Sequence, residues 1–194
     1  MKRLFFIILI SFICQQNLFG QTKEANYYVN TFASAGYGVF LTDLDAQGLN
    51  NSGFNGSFRI MWQPEHLLSL GLETGFIQFY TLSQSNVDTD FGVTDIDTKL
   101  NAVPILIVYS MKIIDQFQIN LGSGLYMLYS TVDSHNNKVT STQVSSGFML
   151  SGSYSYPLNN SVSLGGELKW NYVNKINDGS LSLQFVFKYV LVEY

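Results

Sequence analysis

Apolar and polar residues alternate with a period of two along nearly the whole chain after its first twenty positions, most clearly over residues 161–172. There Val162, Leu164, Gly166, Leu168, Trp170 and Tyr172 share one side of an extended backbone, and Ser161, Ser163, Gly165, Glu167, Lys169 and Asn171 share the other, because successive side chains of a strand point to opposite faces. Over residues 54–63, Phe54, Phe58, Ile60 and Trp62 oppose Asn55, Ser57, Arg59 and Gln63. Leu68, Leu70, Leu72 and Phe76 oppose Ser69, Gly71, Glu73 and Gly75. Helical periodicity is poor by comparison. Further strands are predicted over residues 27–41, 98–112, 117–130, 140–156 and 181–192, which brings the total to eight.

The connections alternate in length. Residues 64–66, 113–116 and 157–160 are tight turns, whereas 42–53, 84–97, 132–138 and 174–180 are longer and rich in Asp, Asn, Ser and Gly. An antiparallel up-and-down meander follows, with short turns at one end and long loops at the other. The expected fold is an all-β, eight-stranded, closed barrel.

Alternation does not say which face points outward, since a soluble lipocalin-like ligand-binding barrel alternates as strictly as a membrane barrel. Composition decides. Charged residues are 12% of the chain and aromatics 15%, against about a quarter charged in soluble domains. The polar face is mostly Ser, Gly, Asn and Gln, residues small enough for a crowded interior, and the apolar face has the content of a lipid-facing band. The barrel is therefore expected to span an outer membrane. Trp62, Tyr80, Tyr129, Tyr154, Tyr156, Trp170 and Tyr172 are candidate members of the aromatic girdles that flank such a band. The soluble barrel is retained as an alternative.

Ahead of the strands, Lys2 and Arg3 precede an apolar run from Leu4 to Ile13. That run is half the roughly twenty residues a spanning helix needs, so residues 1–20 are expected to be a cleaved signal peptide and 21–194 one barrel domain. Cys14 would leave with the peptide, removing disulfides and thiol chemistry from the mature chain. The net charge of −4 without a basic cluster argues against a nucleic-acid partner.

Within the proposed lumen, Arg59, Glu73, Lys99, Glu167, Lys169 and Lys188 form the most informative constellation. Arg59 and Glu73 lie on adjoining strands, as do Glu167 and Lys188, so cross-strand ion pairs are expected, either plugging the barrel or gating a narrow path for ions or small solutes. Asp43, Asp45, Asp88, Asp90, Asp95, Asp97, Asp133 and Asp178, eight of the nine aspartates, fall in the predicted long loops. They match no calcium loop, and no metal or cofactor is expected. His66 and His135, the only histidines, form no nucleophile–base pair in sequence, so no catalytic residue is assigned. Pro104 cannot donate to a strand ladder and should mark a bulge or local widening.

Residues 99–112, KLNAVPILIVYSMK, resemble the fourth-strand pattern of OmpA-like and PorT-like outer-membrane barrel domains, in which a proline precedes an aliphatic run ending in tyrosine. Residues 119–130, INLGSGLYMLYS, resemble that family's glycine-containing fifth strand. The resemblance implies a membrane barrel without a peptidoglycan-binding domain, with a structural, surface-interaction or secretion-accessory role. Expected partners are outer-membrane lipid and lipopolysaccharide, the barrel assembly machinery and envelope proteins. In the register Leu181, Leu183, Phe185, Phe187, Tyr189, Leu191, the terminal aromatic Tyr194 falls on the opposite face, so either a bulge shifts the register or the assembly signal is imperfect.

Overall fold

The computed structural model describes residues 27–42, 46, 48–64, 67–89, 92–134 and 137–193. Residues 1–20, His66, His135, Asp43, Asp45, Asp90 and Tyr194 lie outside the described residues. Nine strands occur among those described: β1 (Tyr28–Leu41), β2 (Leu49–Asn50), β3 (Ser52–Gln63), β4 (Leu68–Thr89), β5 (Gly92–Ile114), β6 (Phe117–Ser134), β7 (Asn137–Pro157), β8 (Val162–Val173) and β9 (Asp178–Glu193). Eight of them close a ring in which each pairs with its chain neighbours and β1 pairs with β9. Every contact within the ring is antiparallel. The remaining strand, β2, is a two-residue piece of the β1–β3 connection laid against Thr81 and Leu82 of β4. Gly48 makes that approach possible. Its φ is +84°, and a Cβ there would sit 2.0 Å from the Ser83 carbonyl oxygen.

Sidedness follows the sequence expectation. Leu72, Leu183 and Phe185 are 63%, 68% and 60% exposed on the outside, while Asn55, Arg59 and Glu167 on the inside are 1–2% exposed. Water does not solvate so continuous an apolar belt, but acyl chains do, and a closed sheet leaves no backbone group unpaired in hydrocarbon. This arrangement excludes the soluble lipocalin-like alternative, whose apolar side would line a central cavity. Outer-membrane barrels keep short turns in the periplasm and long connections outside. The turns after β3, β5 and β7 thus mark the periplasmic end.

The walls are unequal. Strands β4 to β7 run for 22, 23, 18 and 21 residues, against 14, 12, 12 and 16 for β1, β3, β8 and β9. The predicted loop over 84–97 is mostly ladder, with Ser83 opposite Asp97 and Asp88 opposite Val93. The predicted loop over 174–180 shrinks to a turn over 174–177 that carries Asn177 at φ 53°. Asn tolerates this left-handed geometry, and its Oδ1 accepts the Tyr172 hydroxyl at 2.7 Å.

Pro104 sits in β5 opposite Tyr126 of β6 with no bulge in that pairing. Toward β4, the ladder runs from Thr74–Ile105 to Ile77–Ala102 and omits the two pairs between them, one of which faces Pro104. The ladder resumes in the same register, so the missing N–H interrupts the pairing without the expected bulge. At the C-terminal end, a shift between Val29 and Asn30 skips Leu191 of β9, and Leu191 and Val192 are both exposed. This bulge puts Val192 on the outer face beside Leu191, and the expectation for Tyr194 itself lies outside the described residues.

Replacing Leu72 with Arg is expected to cost about 2–4 kcal/mol in urea unfolding from phospholipid vesicles, as for a cation near the midplane of a lipid-facing strand. A barrel with this face in water would tolerate the same change with little effect.

Candidate functional site: a closed ionic belt in the lumen

Register brings the central charges together. Arg59 of β3 lies directly opposite Glu73 of β4. Glu167 and Lys169 lie two residues apart on β8, so both project inward. In the ring, β8 stands across the lumen from β4. Contacts between these strands therefore cross the barrel.

Arg59 donates from Nε to Glu73 Oε2 at 2.6 Å and from Nη2 to Glu167 Oε1 at 2.7 Å. Lys169 Nζ donates to Glu73 Oε1 at 2.8 Å and to Ser57 Oγ at 2.7 Å, and lies 3.8 Å from Glu167 Oε2. Two cations and two anions thus alternate around a closed square with no net charge. A surrounding ring of hydrogen bonds extends it. Ser151 donates to Glu167 Oε1, Asn120 donates to Ser151 Oγ at 2.9 Å, and Ser34 joins Ser57 at 2.7 Å and Gln184 at 2.6 Å. Seven of the eight wall strands contribute to this layer, and β5 faces it with Leu106 and Val108.

Above the belt, toward the outer mouth, large apolar side chains fill most of the lumen beside the buried Asn55, Asn171, Ser145 and Ser180. Phe40, Phe79, Leu100, Ala102 and Leu128 are buried together. A continuous small polar interior was expected. The alternation that would reveal this plug is absent in β5, where inward Leu100, Leu106 and Val108 alternate with outward Val103, Ile105 and Ile107, so both faces are apolar. At the junction the Tyr126 hydroxyl donates to Asn171 Oδ1 at 3.2 Å.

Three sequence expectations are corrected. Lys99 is exposed and shares the outward parity of β5, because Leu100 beside it points in. Lys188 does point inward but does not meet Glu167. The β8–β9 register sets Glu167 opposite Gln184 and Lys188 opposite Ser163, and Lys188 Nζ instead lies 5.7 Å from the Phe32 ring centroid. Tyr80 leaves the girdle. A register shift between Gln78 and Tyr80 turns it toward the inner cluster, where it stacks on Phe40 at 5.7 Å.

The other aromatic positions form two rings on the outer face. Trp62, Tyr154 and Tyr156 lie near the periplasmic turns and are exposed. Tyr129, Trp170 and Tyr172 lie toward the outer end, the latter two packed with Phe148 at centroid distances of 5.3 and 5.0 Å. Tyr109, at 59% exposure, belongs to the periplasmic ring and was not singled out from the sequence, although its parity with Ile105 and Ile107 marks it. Of the aspartates, Asp97 and Asp133 face each other across β5 and β6, and Asp97 accepts a bond from Ser83. Among the described residues no three His, Cys, Asp or Glu side chains come together.

No protein-family model matches the chain, and no curated protein does. Solved structures do. Neisserial surface protein A shares 19% identity over 86% of this chain and 99% of its own, with a TM-score of 0.56. A major outer membrane protein from Thermus thermophilus shares 14% identity over 85% of this chain and 99% of its own, with a TM-score of 0.53. At such identities the likeness is one of fold, and the fold is that of outer-membrane β-barrels.

The belt predicts strong energetic coupling. Glu167→Leu alone should destabilise by about 3–5 kcal/mol, because Arg59 and Lys169 lose a buried partner. Arg59→Met combined with Glu167→Leu should cost clearly less than the two single changes added together. Urea titrations of the four species of this cycle measure the difference.

Proposed function

We propose that this chain is a non-enzymatic outer-membrane protein whose working surface is the wall of β4 to β7 that rises past the outer rim, with the barrel beneath serving as a sealed anchor. The observation that carries the reading is the combination of a tall outer sheet with an occluded interior. Ten more residues in β4 than in β3 amount to about 30 Å of additional strand.

Occlusion supports a role outside the lumen. A water-wide path would leave the belt side chains accessible from within, yet Arg59, Glu73, Glu167 and Lys169 are each 2–3% exposed, and the apolar plug seals the route above them. The narrow-channel reading draws support only from the presence of the charges, and their mutual neutralisation removes the field that would attract an ion. The same burial supports the non-enzymatic reading, because each lumen carboxylate is already engaged in an ion pair and beyond the reach of a substrate.

The outer wall offers hydrogen-bonding side chains in quantity. Thr131, Thr140 and Thr142 are set on its outward and edge positions beside Val139 and Val144, a mixture suited to a protein or glycan surface. On this reading outer-membrane lipid and lipopolysaccharide surround the barrel, the barrel assembly machinery inserts it, and an envelope or host-side partner meets the wall. A secretion-accessory role of the PorT-like kind would place that partner within the envelope.

Shortening the β4–β5 and β6–β7 hairpins to the height of β3 should preserve heat-modifiable gel mobility and abolish surface attachment by expressing cells. Planar-bilayer recordings of the intact barrel should show no unitary conductance steps. Retained attachment after shortening, or steps that change with Lys169→Met, would overturn the reading.

A further inference from the structure

The cations left out of the belt lie together at the other end of the lumen. Lys112 on β5 and Lys188 on β9 both have inward parity, each a few residues from the periplasmic rim. In the ring β5 and β9 are four strands apart in either direction, so the two side chains oppose each other across the full width of the barrel. Neither forms a salt bridge with any described residue.

Their cross-strand partners are neutral, and of the carboxylates at this end Asp115 lies in the exposed β5–β6 turn while Glu193, at the end of β9, accepts the Tyr28 hydroxyl at 2.9 Å. Gln118 is the cross-strand partner of Lys112, and Ser163 that of Lys188. Ser110, one inward position deeper than Lys112, is 5% exposed. Phe32 separates this mouth from the belt. Its ring centroid is 5.6 Å from Arg59 Cζ and 5.7 Å from Lys188 Nζ, so one aromatic ring holds a cation of each layer. Because the belt sums to zero, it supplies no net negative charge to offset two positive charges facing each other in a narrow, low-dielectric mouth. Repulsion of that kind, with hydroxyl and amide groups alongside, is relieved by an anion placed between the two ammonium groups.

We infer that the periplasmic mouth of the barrel binds a small oxyanion, a phosphate, sulfate or carboxylate group, clasped between Lys112 and Lys188. Among the described residues the site faces the periplasmic end and is closed above by Phe32 and the belt, so a ligand entering from that side leaves by it and is not transported. A free anion and the phosphate of an inner-leaflet lipid headgroup present the same chemistry to it. The inference does not depend on the role of the outer wall.

The test uses the folded barrel in maltoside micelles, which carry no phosphate, with its lysines 13C-dimethylated so that each remains cationic and gives its own NMR signal. Titration with inorganic phosphate should shift the Lys112 and Lys188 signals saturably while those of Lys99, Lys138 and Lys175 move only with ionic strength. Lys188→Met should weaken binding by at least about tenfold through loss of one of two charge-assisted contacts, and Lys188→Arg should largely retain it. Heat-modifiable mobility confirms that each variant is folded. A second arm in phosphatidylethanolamine nanodiscs assigns the source. Signals already displaced before phosphate is added identify the lipid headgroup as occupant, and signals that respond only to added phosphate identify the free anion. Equal, unsaturable shifts at all exposed lysines, or saturable binding that survives the combined Lys112→Met and Lys188→Met change, overturn the inference.

Discussion

The closing pair of strands, β1 against β9, is the constraint from which the rest of the molecule follows. Until Tyr37 lies opposite Leu183 and Phe32 opposite Lys188, the sheet has two free edges and the inward charges face solvent. Once it closes, every strand has two neighbours, and the backbone can reside in hydrocarbon without an unpaired polar group. Closure also fixes the lumen width at which Glu73 of β4 reaches Lys169 of β8 at 2.8 Å. The ionic belt is thus a consequence of the ring and, once formed, a set of cross-braces holding opposite walls at that spacing.

Division of the interior into layers follows from the same geometry. Charges can be buried at mid-height because four of them neutralise one another at short range, where attraction in a low-dielectric setting offsets much of the loss of hydration. Toward the outer mouth no such set exists, and Phe40, Phe79, Leu100 and Leu128 fill the space instead. The periplasmic mouth has neither arrangement. There Lys112 and Lys188 form no salt bridge with any described residue.

Much of this was legible in the chain, and what was not has a physical cause. Alternation located the eight wall strands and the outward faces of β3, β4, β8 and β9, because there one face meets lipid and the other meets polar groups. It failed in β5, where lipid lies on one side and the apolar plug on the other, so that Lys99 was assigned to the wrong face. The Arg59–Glu73 pair was accessible because a tight turn sets the β3–β4 register. The partner of Glu167 was not, since Arg59 reaches it across the lumen from a strand far away in sequence. Loop extent was misjudged over 84–97 because Asp, Asn and Ser there resemble turn formers, whereas continuous pairing with neighbouring strands holds them extended.

The unequal heights of the walls give the rim a slope. On the proposed reading, in which lipopolysaccharide surrounds the barrel, its sugar chains would bury the low side, formed by β1, β3, β8 and β9, while the high side would stand clear of them. A large visitor approaching the cell would encounter the molecule from one compass direction only, so that rotation of the barrel about the membrane normal, ordinarily without consequence for a cylinder, becomes a determinant of what it can meet.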